Sequence, residues 1–71
     1  MRIHYDPNED AMYIRLSEDA YTESDEVRDG VILDLDRVGR VVGIELLDVS
    51  ERFPNVNPHE FRYEVKPAPA R

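Results

Sequence analysis

Sixteen carboxylates, two histidines and no cysteine in 71 residues define the chemistry this chain can attempt. Asp34, Asp36 and Glu45, with Gly39 between them, nearly spell the calcium loop D-x-[DN]-x-[DN]-G-x5-E. Val38 occupies a position that must supply an oxygen, and the flanking residues read as strand rather than helix, so a hairpin turn is the better reading. The run Asp6, Asn8 and Asp10 is a poorer match, because Ala11 stands where the sharp-turn glycine belongs and Ser17 where the bidentate glutamate belongs.

His4 and His59 are too far apart in sequence to form a compact ligand pair, and any zinc site would need carboxylates beside them. Strand alternation puts His4 on the face opposite Ile3 and Tyr5, an exposed or edge position, and His59 falls in a loop. Ser17, Ser24 and Ser50 lack the Gly-x-Ser-x-Gly elbow of a nucleophile. Asp34 and Glu45 are the most informative pair. They belong to the two strands of one expected hairpin, on the face that also carries Ile32, Val41 and Gly43, where each can perturb the other's ionisation. Arg15 or Arg2 could neutralise them, and a structural ion pair outweighs a catalytic dyad in so short a chain.

The elements that position these groups follow from a two-residue hydrophobic period. Ile3 and Tyr5 alternate with Arg2, His4 and Asp6; after the turn formers Asp6 to Asp10, Met12, Ile14 and Leu16 alternate with Tyr13 and Arg15. This is a first hairpin. Val31, Leu33 and Leu35 and then, beyond Gly39, Val42, Ile44 and Leu46 make a second. Together with Ile3, Tyr5, Met12, Ile14 and Leu16 they form the expected core. Residues 17–29 carry six acids against one base and read mainly as a connection, with a short edge strand as the alternative. Asp48-Val49-Ser50-Glu51 has the form of a capping box, predicting one short helix near residues 48–53, ended by Pro54.

The expected fold is therefore α+β and mostly β: an antiparallel sheet of four to five strands from two hairpins, with one short helix. Residues 1–53 form the domain. Residues 54–71 are an extension, with a possible fifth strand at 61–66, where Phe61, Tyr63 and Val65 alternate, and a proline-rich frayed tail.

The formal charge is −7, and it is unevenly spread. Through Asp36 there are eleven acids and three bases; from Arg37 onward there are five acids and six bases. Such a surface repels phosphate backbones, and neither a glycine-rich phosphate loop nor a basic stripe is present, which disfavours nucleic acid. The absence of cysteine suits a reducing compartment, and no apolar run suggests a membrane span or a signal peptide, so a cytoplasmic protein is expected. A chain this short buries only about 60% of its unfolded surface, which makes self-association the default expectation.

Taken together, Ile3-His4-Tyr5-Asp6-Pro7, Asp10-Ala11-Met12-Tyr13-Ile14-Arg15-Leu16-Ser17, Gly30-Val31-Ile32-Leu33-Asp34 and Gly39 to Asp48 resemble the prokaryotic domain-of-unknown-function family 2283 over roughly residues 1–53. That resemblance implies a small antiparallel β domain with a short helix and no activity to carry over; some members look like the antitoxin of a two-gene pair with a small basic toxin. Val38 and the segment from Pro54 onward depart from the pattern. The expected function is a non-enzymatic protein-binding module, a homo-oligomer, whose acidic residues Glu18, Asp19, Glu23, Asp25, Glu26 and Asp29 engage a basic protein. No residue is assigned to catalysis, to a cofactor or to a metal. The alternatives are a purely structural self-associating domain and a carboxylate- or metal-dependent enzyme.

Overall fold

A computed structural model describes residues 1–69. Five strands form one sheet: β1 (Arg2–Asp6), β2 (Ala11–Arg15), β3 (Glu23–Arg28), β4 (Val31–Leu35) and β5 (Val41–Leu46), followed by a four-residue helix, α1 (Val49–Arg52). The spatial order is β1-β2-β5-β4-β3, and every neighbouring pair is antiparallel. The fold is thus a two-strand hairpin joined edge to edge with a three-strand meander, through β2 and β5.

Two of the three tight turns are organised by an aspartate. The Asp6 carboxylate accepts from the backbone N–H groups of Asn8 and Glu9 at 2.9 and 3.3 Å, closing the β1–β2 turn. Between β4 and β5, Asp36 accepts from the N–H groups of Val38 and Arg40 at 3.0 and 2.9 Å and from Arg40 Nε at 2.9 Å. Gly39 sits there at φ +86°, a conformation that a side chain would strain. The calcium-like spacing is therefore that of a hairpin turn, and Asp36 uses its oxygens on the turn itself.

Strand β3 is the fifth strand, and residues 61–66 have no strand pairing. Glu23–Arg28 pairs with β4 through its backbone in spite of an acidic sequence, with a bulge between Glu26 and Arg28. In 61–66 the side-chain alternation is right, but the segment is set between Pro58 and Pro67 and none of its N–H groups bonds another backbone carbonyl. Of the proline-rich tail, Ala70 and Arg71 lie outside the described residues.

The helix is capped differently from expectation. Asp48 has φ 50° and ψ 51° and makes no side-chain cap bond. A capping side chain must leave from extended backbone, and left-handed Asp48 turns away to meet Arg52 Nε at 3.5 Å. Asp10, forty residues earlier, supplies the cap. Its carbonyl accepts from Val49 N–H at 2.9 Å, and its carboxylate accepts from Ser50 N–H at 3.0 Å, Ser50 Oγ at 2.6 Å and Tyr5 Oη at 2.7 Å. The bond from Ser50 Oγ is the largest cause holding the Asp10 carboxyl below the usual aspartate range. Replacing Asp10 by alanine is expected to lower the melting temperature at neutral pH by on the order of 5 to 10 °C. The contribution of a depressed carboxyl is present above its unfolded value of 3.8 and disappears as pH falls through the folded one. Melting curves of the two proteins should accordingly converge in acid.

Register places the apolar side chains together on one face. Ile3, Ile14, Ile44 and Leu33 line up across β1, β2, β5 and β4, and Tyr5, Met12, Leu46 and Val31 form the adjacent row. Of the expected core only Val42 is fully buried, at 2% exposure; it sits where Asp34 pairs with Gly43 but Leu35 with Val41, as the extra residue of a bulge. Val49 of α1, at 1%, is the other buried apolar side chain. Val42 belongs to the central strand and Val49 to the helix that follows it, while the aliphatic rows of the sheet stay only partly covered.

Candidate functional site

The opposite, polar face holds the most enclosed cluster of chemical groups. Across it run Arg2, Arg15, Gly43, Asp34 and Ser24 in one row and His4, Tyr13, Glu45, Ile32 and Glu26 in the next. Pairing of β4 with β5 brings Asp34 and Glu45 together, as the hairpin reading expected, and pairing of β5 with β2 adds Tyr13 and Arg15. The site centres on Gly43. A Cβ there would fall well inside van der Waals contact with the Tyr13 hydroxyl, so the missing side chain is what lets the phenol lie over the strand.

Asp34 is only 1% exposed, and accepts a hydrogen bond from Ser24 Oγ at 2.7 Å. Arg15 Nη1 donates to Tyr13 Oη at 3.2 Å and its Nη2 to the carbonyl of Asp19 at 2.7 Å. Its Nε is buried without a hydrogen-bond partner; the nearest carboxylate oxygen, from Glu18, is 4.0 Å away. Burial first, and hydrogen bonding with Asp34 second, push the Glu45 carboxyl above the usual glutamate range. Burial also raises the Tyr13 hydroxyl; Arg15 opposes the rise and Asp34 reinforces it. Glu45 thus retains a proton more readily than an ordinary glutamate, beside a carboxyl group that solvent barely reaches.

A measurable consequence follows from the sign of that shift. A raised carboxyl binds more protons folded than unfolded, so its contribution is present below 4.5 and is lost as pH rises through the folded value. Glu45→Gln, which keeps the shape and cannot ionise, is expected to raise the melting temperature at neutral pH by a few degrees. It should also flatten the stability profile just above the unfolded glutamate value; a variant less stable than the parent at neutral pH but equal to it in acid would show that the carboxyl is needed for its charge.

Access limits what the cluster can catalyse. Asp34 is buried, and the neighbouring space is a shallow cleft of about 310 Å³ lined by Arg2, Ile3, His4, Tyr13 and Arg15. His4 lies on this polar face, opposite Tyr13 in register. His59 instead packs edge-on against Tyr5 of the apolar face, with ring centroids 5.6 Å apart, so the histidines do not converge. Among the described residues no group of three or more histidine or carboxylate side chains is arranged to hold a metal ion.

The acidic residues expected to meet a partner divide into two sets. Glu18 forms a two-pronged pair with Arg2, at 2.9 and 3.1 Å, and Asp19 lies beside it in the β2–β3 connection. Glu23, Asp25 and Glu26 are exposed along β3, an outer strand of the sheet, and Asp29 follows in the next turn. Glu23 and Asp25 are registered with Leu35 and Leu33 on the apolar side; Glu26 is registered with Ile32 on the polar side and accepts from Gly30 N–H at 3.1 Å. Ser24, considered only as a nucleophile, proves to be a hydrogen-bond donor to Asp34. Tyr13 carried no signal beyond its place in an alternating strand. No helix among the described residues is long and apolar enough to cross a membrane.

A family model described as "Protein of unknown function (DUF2283)" matches residues 2–50, a span that includes all five strands and Gly43. No curated protein and no solved structure matches the chain.

Proposed function

The chain belongs to domain-of-unknown-function family 2283, and from its surface we propose a non-enzymatic, cytoplasmic protein-binding module whose acidic edge receives a basic partner, as an antitoxin-like protein would receive its toxin. The observation that carries this reading is β3: an outer strand, exposed at all six positions, with Glu23, Asp25 and Glu26 against a single base, Arg28. A free strand edge offers backbone hydrogen bonds to any extended segment, and its charges then decide which segment is accepted. The bulge before Arg28 and the density of acid disfavour uncharged strands and copies of β3 itself. A basic strand is favoured on both counts. In this reading the binding unit is a homodimer.

The test is binding to the small basic product of a neighbouring gene, measured at ~0.05 M and ~0.5 M salt. Affinity is expected to fall steeply with salt and to be lost when Glu23, Asp25 and Glu26 are all changed to lysine. A partner bound equally well at both salt levels, or no binding, overturns the proposal. The second reading, a carboxylate-dependent enzyme, draws on the proton held at Glu45 beside Asp34. It requires divalent metal or a ligand to shift the melting temperature, and a null titration discards it.

A further inference from the structure

We propose that the apolar face of the sheet is closed by a second copy of the chain, the two sheets packed face to face about a two-fold axis that runs along β5. The proposal deepens the homodimer reading and is independent of the basic partner.

The first support is the incomplete burial of the apolar face. Asp34, on the polar face, is more enclosed than any side chain of the rows Ile3-Ile14-Ile44-Leu33 and Tyr5-Met12-Leu46-Val31. Ile14, Ile44 and Leu33 lie on the three central strands, where a sheet is ordinarily best covered, yet none is fully buried, and Ile3 is 38% exposed. A stable domain stacks two layers around a core. Here the only helix among the described residues is four residues long and the molecule is 46 × 32 × 19 Å, the proportions of a slab with its second layer missing.

Surface area gives the same answer in magnitude. A folded monomer of 8.3 kDa is expected to expose about 4,600 Å². This chain exposes 5990 Å². Residues 54–69, almost all exposed, hold part of the excess of about 1,400 Å², and the open sheet face with Phe61 and Tyr63 holds area comparable to the roughly 800 Å² that each partner contributes to a standard stable interface. Sheets that pack this way sit about 10 Å apart, within reach of one layer of isoleucine and leucine from each side.

Charge selects the axis. On the apolar side, β3 presents Glu23 and Asp25 at one margin. The other margin is β1, where Met1, Ile3, Phe61 and Tyr63 surround an open apolar hollow of about 510 Å³. A two-fold across the strands would set β3 over the partner's β3, acid against acid at the edge of a low-dielectric layer. A two-fold along β5 sets Ile44 over its own copy, Ile14 over the partner's Leu33, and β1 with Phe61 and Tyr63 over the partner's β3. Like charges are then separated by the width of the sheet. The stacked pair Phe61 and Tyr63, 64% and 65% exposed in the single chain, gains a surface to cover.

Two measurements on the full-length chain decide this. Sedimentation equilibrium at micromolar concentration is expected to give twice 8.3 kDa; one chain's mass overturns the proposal, whether or not a basic partner binds. Because the chain has no cysteine, Ile3→Cys and Asp25→Cys can be introduced separately and mixed with a short thiol-to-thiol cross-linker. A covalent dimer is expected from the mixture and little from Asp25→Cys alone. Efficient linking of Asp25→Cys to itself would place β3 over β3 and overturn the axis.

Discussion

Asp34→Ala is expected to destabilise the protein by about 3 to 5 kcal/mol, the range for removing one member of a buried, hydrogen-bonded charge cluster. At 0.05 to 0.15 kcal/mol per residue, a chain of this length has only about 4 to 10 kcal/mol in all. The substitution should therefore leave a large unfolded fraction under native conditions. The loss has two parts. Ser24 Oγ loses its acceptor at 2.7 Å, and Arg15, already short of one hydrogen bond at Nε, loses a nearby opposite charge. Asp34→Asn keeps the volume and one acceptor oxygen and should lose less than half as much. Urea midpoints at one fixed protein concentration measure both, since a self-associating protein's stability depends on concentration. An alanine variant within about 1 kcal/mol of the parent would show that Asp34 is enclosed without contributing to the fold.

Gly43→Ala should cost about 2 kcal/mol although it adds a single methyl group. Gly43 lies on β5 between β2 and β4, where alanine would ordinarily be the better residue. The added Cβ would meet the Tyr13 hydroxyl first and the ring carbons next, at Cζ 2.9 Å and Cε2 3.3 Å. Tyr13 would have to swing out, breaking its bond from Arg15 and leaving its place beside Asp34. The origin of the loss can be isolated by a double-mutant cycle with Tyr13→Ala. Once the ring is gone the methyl group has room, so the two losses should fall short of additive by at least about 1 kcal/mol. Strict additivity would mean that Gly43 is required for some other reason.

These two residues also mark how far the sequence could be read. Alternation located β1, β2, β4 and β5, because each carries two or three apolar residues at every second position beside a recognisable turn. It also put Asp34 and Glu45 on one face, since pairing within a short hairpin follows from the turn. It offered Arg15, with Arg2, as a neutralising cation but could not supply Tyr13 or Ser24, because which strand of one piece joins which strand of another is set by packing between distant segments. Strand β3 was obscured for a different reason. Its sequence, Glu23-Ser24-Asp25-Glu26-Val27-Arg28, has little intrinsic preference for extended structure, and it is held by backbone bonds to β4 rather than by side-chain burial. Phe61, Tyr63 and Val65 mislead in the opposite sense: the pattern is that of a strand, but no backbone partner is present along it. The cap on α1 was misplaced to Asp48 because the nearest aspartate satisfies the local pattern, whereas Asp10 reaches the helix only after the sheet has formed.

The seam between β2 and β5 bears on the order of folding. Ile14 meets Ile44 across thirty residues of chain, whereas the β4–β5 and β1–β2 turns close over four or five. Loop-closure entropy rises with the logarithm of that separation and is lost before the aliphatic rows gain anything by meeting. The three-strand piece and the hairpin can each zip locally, but their docking is the rate-limiting search. Until it occurs β2 and β5 are both bare edges, and the nascent chain is at its most vulnerable to joining the wrong molecule.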